Sequence, residues 1–172
     1  MKFDPNIVRT SCSSPLGDIT LAATDQGLAG VWFDGQQHRP DCAQWPVDAR
    51  HPVLLEAAQQ VRQYLAGARD HFTLPLDLRG GTAFQQSVWR SLLQIPFGAT
   101  ATYGAVSQRV GRPKAVRAVG AAVGRNPLSM VVPCHRVMGA DASLTGYAGG
   151  LARKAALLEL EAGTERRRVV LR

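Results

Sequence analysis

Residues 103–124 read YGAVSQRVGRPKAVRAVGAAVG, and the way this stretch folds decides the kind of protein. Tyr103 to Val110 reads as a short helix. Gly111-Arg112-Pro113 then makes a turn, with proline placed to open the next helix, where its missing N–H costs nothing. That second helix is predicted from Lys114 to about Gly124. Two helices joined by a tight, glycine-containing turn form a helix-turn-helix. The second helix is unusual, because Ala115, Ala118, Gly120, Ala121, Ala122 and Gly124 are all small. A helix reading the major groove carries several long polar side chains, whereas this one carries Arg117 and little else in its middle. A thin face suits close approach to a narrow groove. The competing reading is a small-residue helix packed in a core, where Arg117 would be costly.

Working outward, Arg79-Gly80-Gly81 reads as a boundary between a first unit, residues 1–80, and a second, residues 81–172. Thr82 and Gln85 have the spacing of a capping box, and Phe84, Val88, Trp89, Leu92 and Leu93 continue as one apolar helical face. Upstream, Ile19–Thr24 and Leu28–Phe33 read as strands with a turn at Asp25-Gln26-Gly27. His51 to Leu65 reads as a helix stopped by Gly67. Phe72–Leu78 reads as an edge strand interrupted by Pro75. The implied class is α+β: a β-sheet unit with a helix, followed by a mainly helical unit.

Three cysteines at no regular spacing argue against a disulfide framework and for a reducing cytoplasm. No apolar run approaches a membrane span, and Met1–Thr10 lacks the apolar stretch of a signal peptide. The net charge of +7 is unevenly placed. Residues 1–80 hold 7 Lys+Arg against 9 Asp+Glu, and residues 81–172 hold 13 against 4, so the units carry −2 and +9. A basic second unit with a helix-turn-helix points to nucleic acid.

The chemistry concentrates in Val131-Val132-Pro133-Cys134-His135-Arg136-Val137, where a thiol, an imidazole and a guanidinium interrupt an apolar run. Neighbouring positive charge or imidazole lowers a thiol pKa and makes a nucleophile. On an extended strand Cys134 and His135 would face opposite sides. Either the chain bends there, or a water relays the proton. A third group should orient the histidine. On the last helix, predicted from Gly150 to about Ala162, a helical wheel places Glu161 amid Leu151, Leu157, Leu158 and Leu160, and Glu159 on the other side. Glu161 therefore points inward and needs a partner, either His135 or Arg136. Cys12 and Cys42 carry no comparable context. His38 and Cys42 have no second pair at zinc-ligand spacing, so no metal is expected. His51 and His71 read as helix-start and loop residues.

Pro133–Val137, Arg117-Ala118-Val119-Gly120, Asn126-Pro127 and Thr145-Gly146-Tyr147-Ala148-Gly149-Gly150 occur in the order found in the O6-alkylguanine-DNA alkyltransferases, the methylated-DNA–protein-cysteine methyltransferases, and the chain resembles that family over most of its length. The resemblance implies a ribonuclease-H-like first unit and a winged helix-turn-helix-like second one. It implies direct-reversal DNA repair: the alkyl group of O6-alkylguanine, with O4-alkylthymine as a further candidate, moves to Cys134 once per molecule, with no cofactor. The base is flipped out of a duplex bound through its minor groove, and the protein acts as a monomer.

The resemblance also implies roles. Arg117 fills the gap in the stack, and Lys114, Ala115, Ala118, Ala121 and Arg125 lie along the DNA. Tyr103 donates to guanine N3 and aids protonation of the leaving base. The carbonyls of Cys134 and Val137 accept from the exocyclic amine, and the N–H of Ala148 donates to O6. Tyr147 walls the pocket, and Asn126 organises the turn before the cysteine. Glu161, His135, a water and Cys134 form the catalytic chain. Two departures stand out: Ala162 separates Glu161 from Gly163, where many relatives have glycine directly after the glutamate, and Ala148 replaces a serine found in some relatives. A non-enzymatic DNA-binding relative would lack the reactive cysteine. A cysteine hydrolase would need an oxyanion hole and a histidine distant in sequence.

Overall fold

In the computed structural model, residues 1–170 are described, with side chains through residue 164. Three antiparallel strands open the chain: β1 (Val8–Cys12), β2 (Ile19–Thr24) and β3 (Gly27–Phe33), in that spatial order. The predicted turn is a two-residue loop, since Thr24 pairs directly with Gly27. β2 and β3 are buried on both faces. A bulge shifts the pairing from Ala22–Gly30 to Ala23–Leu28, which leaves Ala29 as the extra residue. The bulge changes the alternation, so Leu28, Val31 and Phe33 join the main core, while Ala29 and Trp32 face a smaller cluster with Phe3 and Trp45.

Helix α1 (Pro52–Leu65) lies against the sheet, with Leu54, Ala57, Ala58, Val61 and Tyr64 buried. The predicted strand at Phe72–Leu78 does not form. A single bridge joins Leu76 to Leu28, through Leu28 N–H to Pro75 O at 2.8 Å and Asp77 N–H to Leu28 O at 2.8 Å. Pro75 has no N–H with which to extend that ladder.

Helix α2 (Ala83–Leu92) starts at the predicted capping box: Gln85 N–H donates to Thr82 Oγ1 at 3.2 Å, and Thr82 N–H to Gln85 Oε1 at 2.9 Å. A side chain at Gly81 would lie 2.3 Å from the Trp89 ring, so only glycine admits this approach. β4 (Ala101–Thr102) leads into α3 (Tyr103–Arg109), and a turn then leads into α4 (Val116–Gly124). α4 begins two residues later than predicted. Ala115 N–H donates to Arg112 O at 2.8 Å and closes a separate turn, which leaves Ala115 as N-cap. β5 (Val137–Met138) pairs in parallel with β4. The last helix, α5 (Leu151–Val170), runs well past the predicted end near Ala162. Ala162 is a strong helix former, and Gly163 alone is only a weak breaker without a following proline.

The two units are joined by backbone. Val31 N–H donates to Pro127 O at 2.8 Å and Ser129 N–H to Val31 O at 3.0 Å, so residues 127–129 cover the open edge of β3. An edge strand left bare would present unpaired donors and acceptors. No helix among the described residues is long and apolar enough to cross a membrane.

Candidate active site

The segment after α4 is buried from Asn126 to Val137. Asn126 holds its shape. The side-chain amide donates to Val132 O at 2.8 Å, to Leu128 O at 3.3 Å and to Cys134 Sγ at 3.0 Å, and its oxygen accepts from Leu128 N–H at 3.0 Å. One side chain thus closes the turn and touches the thiol.

Cys134–Arg136 is a turn of 3₁₀ helix and not part of a strand. With three residues per turn, successive side chains splay about 120° apart. Of the two alternatives open in the sequence, the chain does bend. The bend lets His135 and Arg136 reach one carboxylate, which an extended strand would forbid. His135 Nε2 lies 2.7 Å from Glu161 Oε1. Arg136 Nε donates to both Glu161 oxygens, at 3.1 and 3.0 Å, and its Nη2 donates to Oε1 at 3.0 Å. Arg136 Nη1 donates to Ile95 O at 2.6 Å. The two partners weighed for Glu161 are therefore both present. Gly98 N–H donates to Oε2 at 2.9 Å, and the Tyr64 hydroxyl to Oε1 at 2.5 Å.

Glu161 is 0% exposed. Burial alone would raise its carboxyl, but the bonds from His135, Arg136 and Tyr64 outweigh that and hold it at about 2. Burial pushes His135 below its ordinary value, against the pull of Glu161. At neutral pH the pair is thus a carboxylate and a neutral imidazole that donates from Nε2. Its Nδ1 is buried, with no hydrogen-bond partner among the described residues.

Cys134 departs from expectation. Burial pushes its thiol up to about 11, and the bond from Asn126 and the charge of Lys154 offset only part of that. The sequence places Arg136 beside the thiol as an activator, but in the fold Glu161 neutralises that guanidinium. The resting thiol is protonated.

The residues expected around a bound base come from several segments near the cysteine turn. Tyr103, the first residue of α3, lies beside the cysteine turn because β4 pairs with β5. Its hydroxyl is 3.3 Å from Gly146 O and 3.5 Å from Thr145 O. Tyr147 packs against the core with its hydroxyl buried beside Ser129. Ala148 is half-buried, and its carbonyl accepts from Gln37 N–H at 2.9 Å. The Val137 carbonyl is taken by Lys154, whose ammonium donates to it at 2.5 Å and to Thr145 O at 2.7 Å.

On α4, Val119, Ala122 and Val123 face inward, and Trp89 Nε1 donates to Ala122 O at 2.8 Å. Arg117, Ala118, Ala121 and Arg125 are exposed, as is Lys114 before the helix, while Ala115 is half-buried. The buried-core alternative for this helix is therefore excluded at Arg117. The ring of Tyr103 lies 3.9 Å from where a side chain at Gly120 would begin, so the exposed helix adjoins the tyrosine beside the cysteine turn.

Two residues of the site escaped the sequence reading. Lys154 is 0% exposed and lies two helical turns before Glu161, on the same face; that spacing was available as a signal. Tyr64 continues the apolar stripe of α1 after Val61, so its position was readable and its polar contact was not. The helical wheel places Leu151 on the inward half of α5, but as the first residue of that helix it lies at its end and is 49% exposed. Among the described residues, no group of three or more His, Cys, Asp or Glu side chains could hold a metal ion.

Comparison with known proteins bears on this geometry. Residues 83–163 match the DNA binding domain of 6-O-methylguanine DNA methyltransferase, and residues 7–78 match its ribonuclease-like domain. A methylated-DNA–protein-cysteine methyltransferase of Mycobacterium tuberculosis is 47% identical over 148 residues, 86% of this chain and 88% of that protein. The one of Mycobacterium leprae is 45% identical over 151 residues, 88% of this chain and 90% of that protein. The crystal structure of Mycobacterium tuberculosis OGT in complex with DNA superposes with a TM-score of 0.85 at 44% identity, covering 91% of this chain and 93% of that one.

Proposed function

The chain belongs to the 6-O-methylguanine DNA methyltransferase family, and from that premise we propose how its site performs the family's reaction. It is a methylated-DNA–protein-cysteine methyltransferase that binds DNA and moves an alkyl group from O6-alkylguanine to its own cysteine. The observation that carries the assignment of the acceptor is Cys134 itself. Its thiol is buried, held by Asn126, and followed directly by a histidine whose far nitrogen is fixed on Glu161.

The thiol proton passes through a water to Nδ1 of His135, and Glu161 stabilises the imidazolium. Cys134 sulfur then attacks the alkyl carbon. The S–C bond forms as the C–O6 bond breaks, the electron pair leaves on the base, and Tyr103 assists its protonation at N3. Guanine and a stable thioether result, so each molecule acts once. Removal from water makes the thiol reluctant to ionise, which suits an acceptor that should react only with a base seated beside it.

α4 docks in the minor groove with its thin face, Ala118 and Ala121, against the backbone. Arg117 occupies the gap left by the flipped base, and Lys114, Ala115 and Arg125 flank it. The carbonyls of Cys134 and Val137, already bonded to Val137 N–H and to Lys154, accept from the guanine amine through their second lone pairs, the Ala148 N–H meets O6, and Tyr147 walls the pocket. The division at residues 80/81 is supported by the ranges of the two family matches. Three free cysteines support a reducing compartment such as the cytoplasm, and the proposed working unit is a monomer. The test is transfer of a labelled methyl group from duplex O6-methylguanine, which saturates at one equivalent per protein. Continued turnover would contradict the assignment.

A further inference from the structure

We propose that Tyr64, carried by α1 of the first unit, is a positioning residue of the alkyl-acceptor site: its hydroxyl holds the Glu161 carboxylate on His135 and thereby sets the pH at which the relay can take the cysteine proton. The proposal rests on the alkyl-transfer reading above. It gives the first unit a part in the chemistry beyond support.

Tyr64 is fully buried, with its ring against Phe72 at 5.1 Å and Phe97 at 6.1 Å between centroids. Those contacts would be served equally by phenylalanine. What phenylalanine lacks is the hydroxyl, 2.5 Å from Glu161 Oε1 and 3.3 Å from His135 Nε2. Burial and the adjacent carboxylate both push the phenol above its ordinary value, so the oxygen keeps its proton and donates it to Glu161.

Geometry gives that donation a consequence. Arg136 grips both carboxylate oxygens, whereas His135 reaches Oε1 alone. Tyr64 donates to the oxygen that His135 uses, so it withdraws part of the negative charge the imidazolium would feel. Without the hydroxyl, Oε1 is a stronger acceptor for His135 and the imidazole binds its proton more tightly. The groups around the pair are Glu161 and Lys154 from α5, Cys134 and Arg136 from the 3₁₀ turn, the Gly98 N–H from the loop after α2, and Tyr64 from α1. Tyr64 is the member contributed by the first unit, and it can be altered without changing the charge of the site.

The test measures the rate of methyl transfer from duplex O6-methylguanine to full-length protein across pH 5 to 9. Affinity for an unreactive duplex and the thermal midpoint are measured in parallel. Tyr64→Phe is expected to move the acid limb of the rate profile up by about one pH unit, with DNA affinity within about twofold of the parent. Placing 3-fluorotyrosine at position 64, a stronger donor of nearly the same shape, moves the limb down and carries the test should the phenylalanine variant fail to fold. A limb that stays in place, or shifts the wrong way in the folded variants, overturns the proposal. Absence of transfer by the parent at every pH would instead overturn the assigned reaction.

Discussion

At Cys134 two neighbours act in opposite senses: burial keeps the proton on sulfur, and Asn126 presents an N–H to it. Asn126 also supplies the donor for Val132 O and Leu128 O. Asn126→Ala is predicted to leave the buried Leu128 N–H without its acceptor, at a cost of about 1–3 kcal/mol. The urea midpoint should fall, and methyl transfer should slow by more than tenfold. Unchanged midpoint and rate would show that the amide is dispensable. Cys134, His135 and Glu161 were legible in the sequence because each is a reactive side chain at an apolar position. Tyr64 was not, because a tyrosine in a helical core stripe is ordinary, and its partner lies 97 residues away.

Among the elements, α4 was legible as an exposed small-residue helix, though it starts two residues later than predicted. A run of small residues around one arginine specifies a thin face, and Arg117 on that face is exposed in the fold. Arg117→Ala is predicted to slow repair of duplex at least tenfold more than reaction with free O6-benzylguanine, which has no stack to leave. Equal losses on the two substrates would remove the stack-filling role. The cysteine segment was less legible. The flanking valines allow a strand as well as a turn, and the hydrogen bonds of Asn126 and the shared carboxylate select a 3₁₀ turn. Phe72–Leu78 shows the same limit in reverse: β-favouring residues made one bridge, because Pro75 ends the ladder.

For the whole molecule, the sequence showed two units of opposite charge but not how they join. That join depends on contacts distant in sequence: residues 127–129 pairing with β3, and Tyr64 reaching Glu161. The buried cluster at the join makes stability pH-dependent. Glu161 is held at about 2 against an ordinary 4.5, and His135 lies below its ordinary 6.5. Both folded values are depressed, so the unfolded chain binds protons more readily as pH falls. The stabilisation is complete above about pH 6.5, begins to fall there through His135, and falls steeply from about 4.5 towards 2 through Glu161. The Glu161 share is on the order of 3 kcal/mol. Urea midpoints should therefore drop between pH 7 and pH 3, and a flat series would contradict the cluster's role. The central claim, that this fold exists to offer Cys134 once to a flipped base, is tested most directly by locating the transferred group. After reaction with duplex bearing labelled O6-methylguanine, peptide mapping should find the label on the Cys134 peptide, at no more than one per molecule. Label on Cys12 or Cys42, or more than one label per chain, would contradict it.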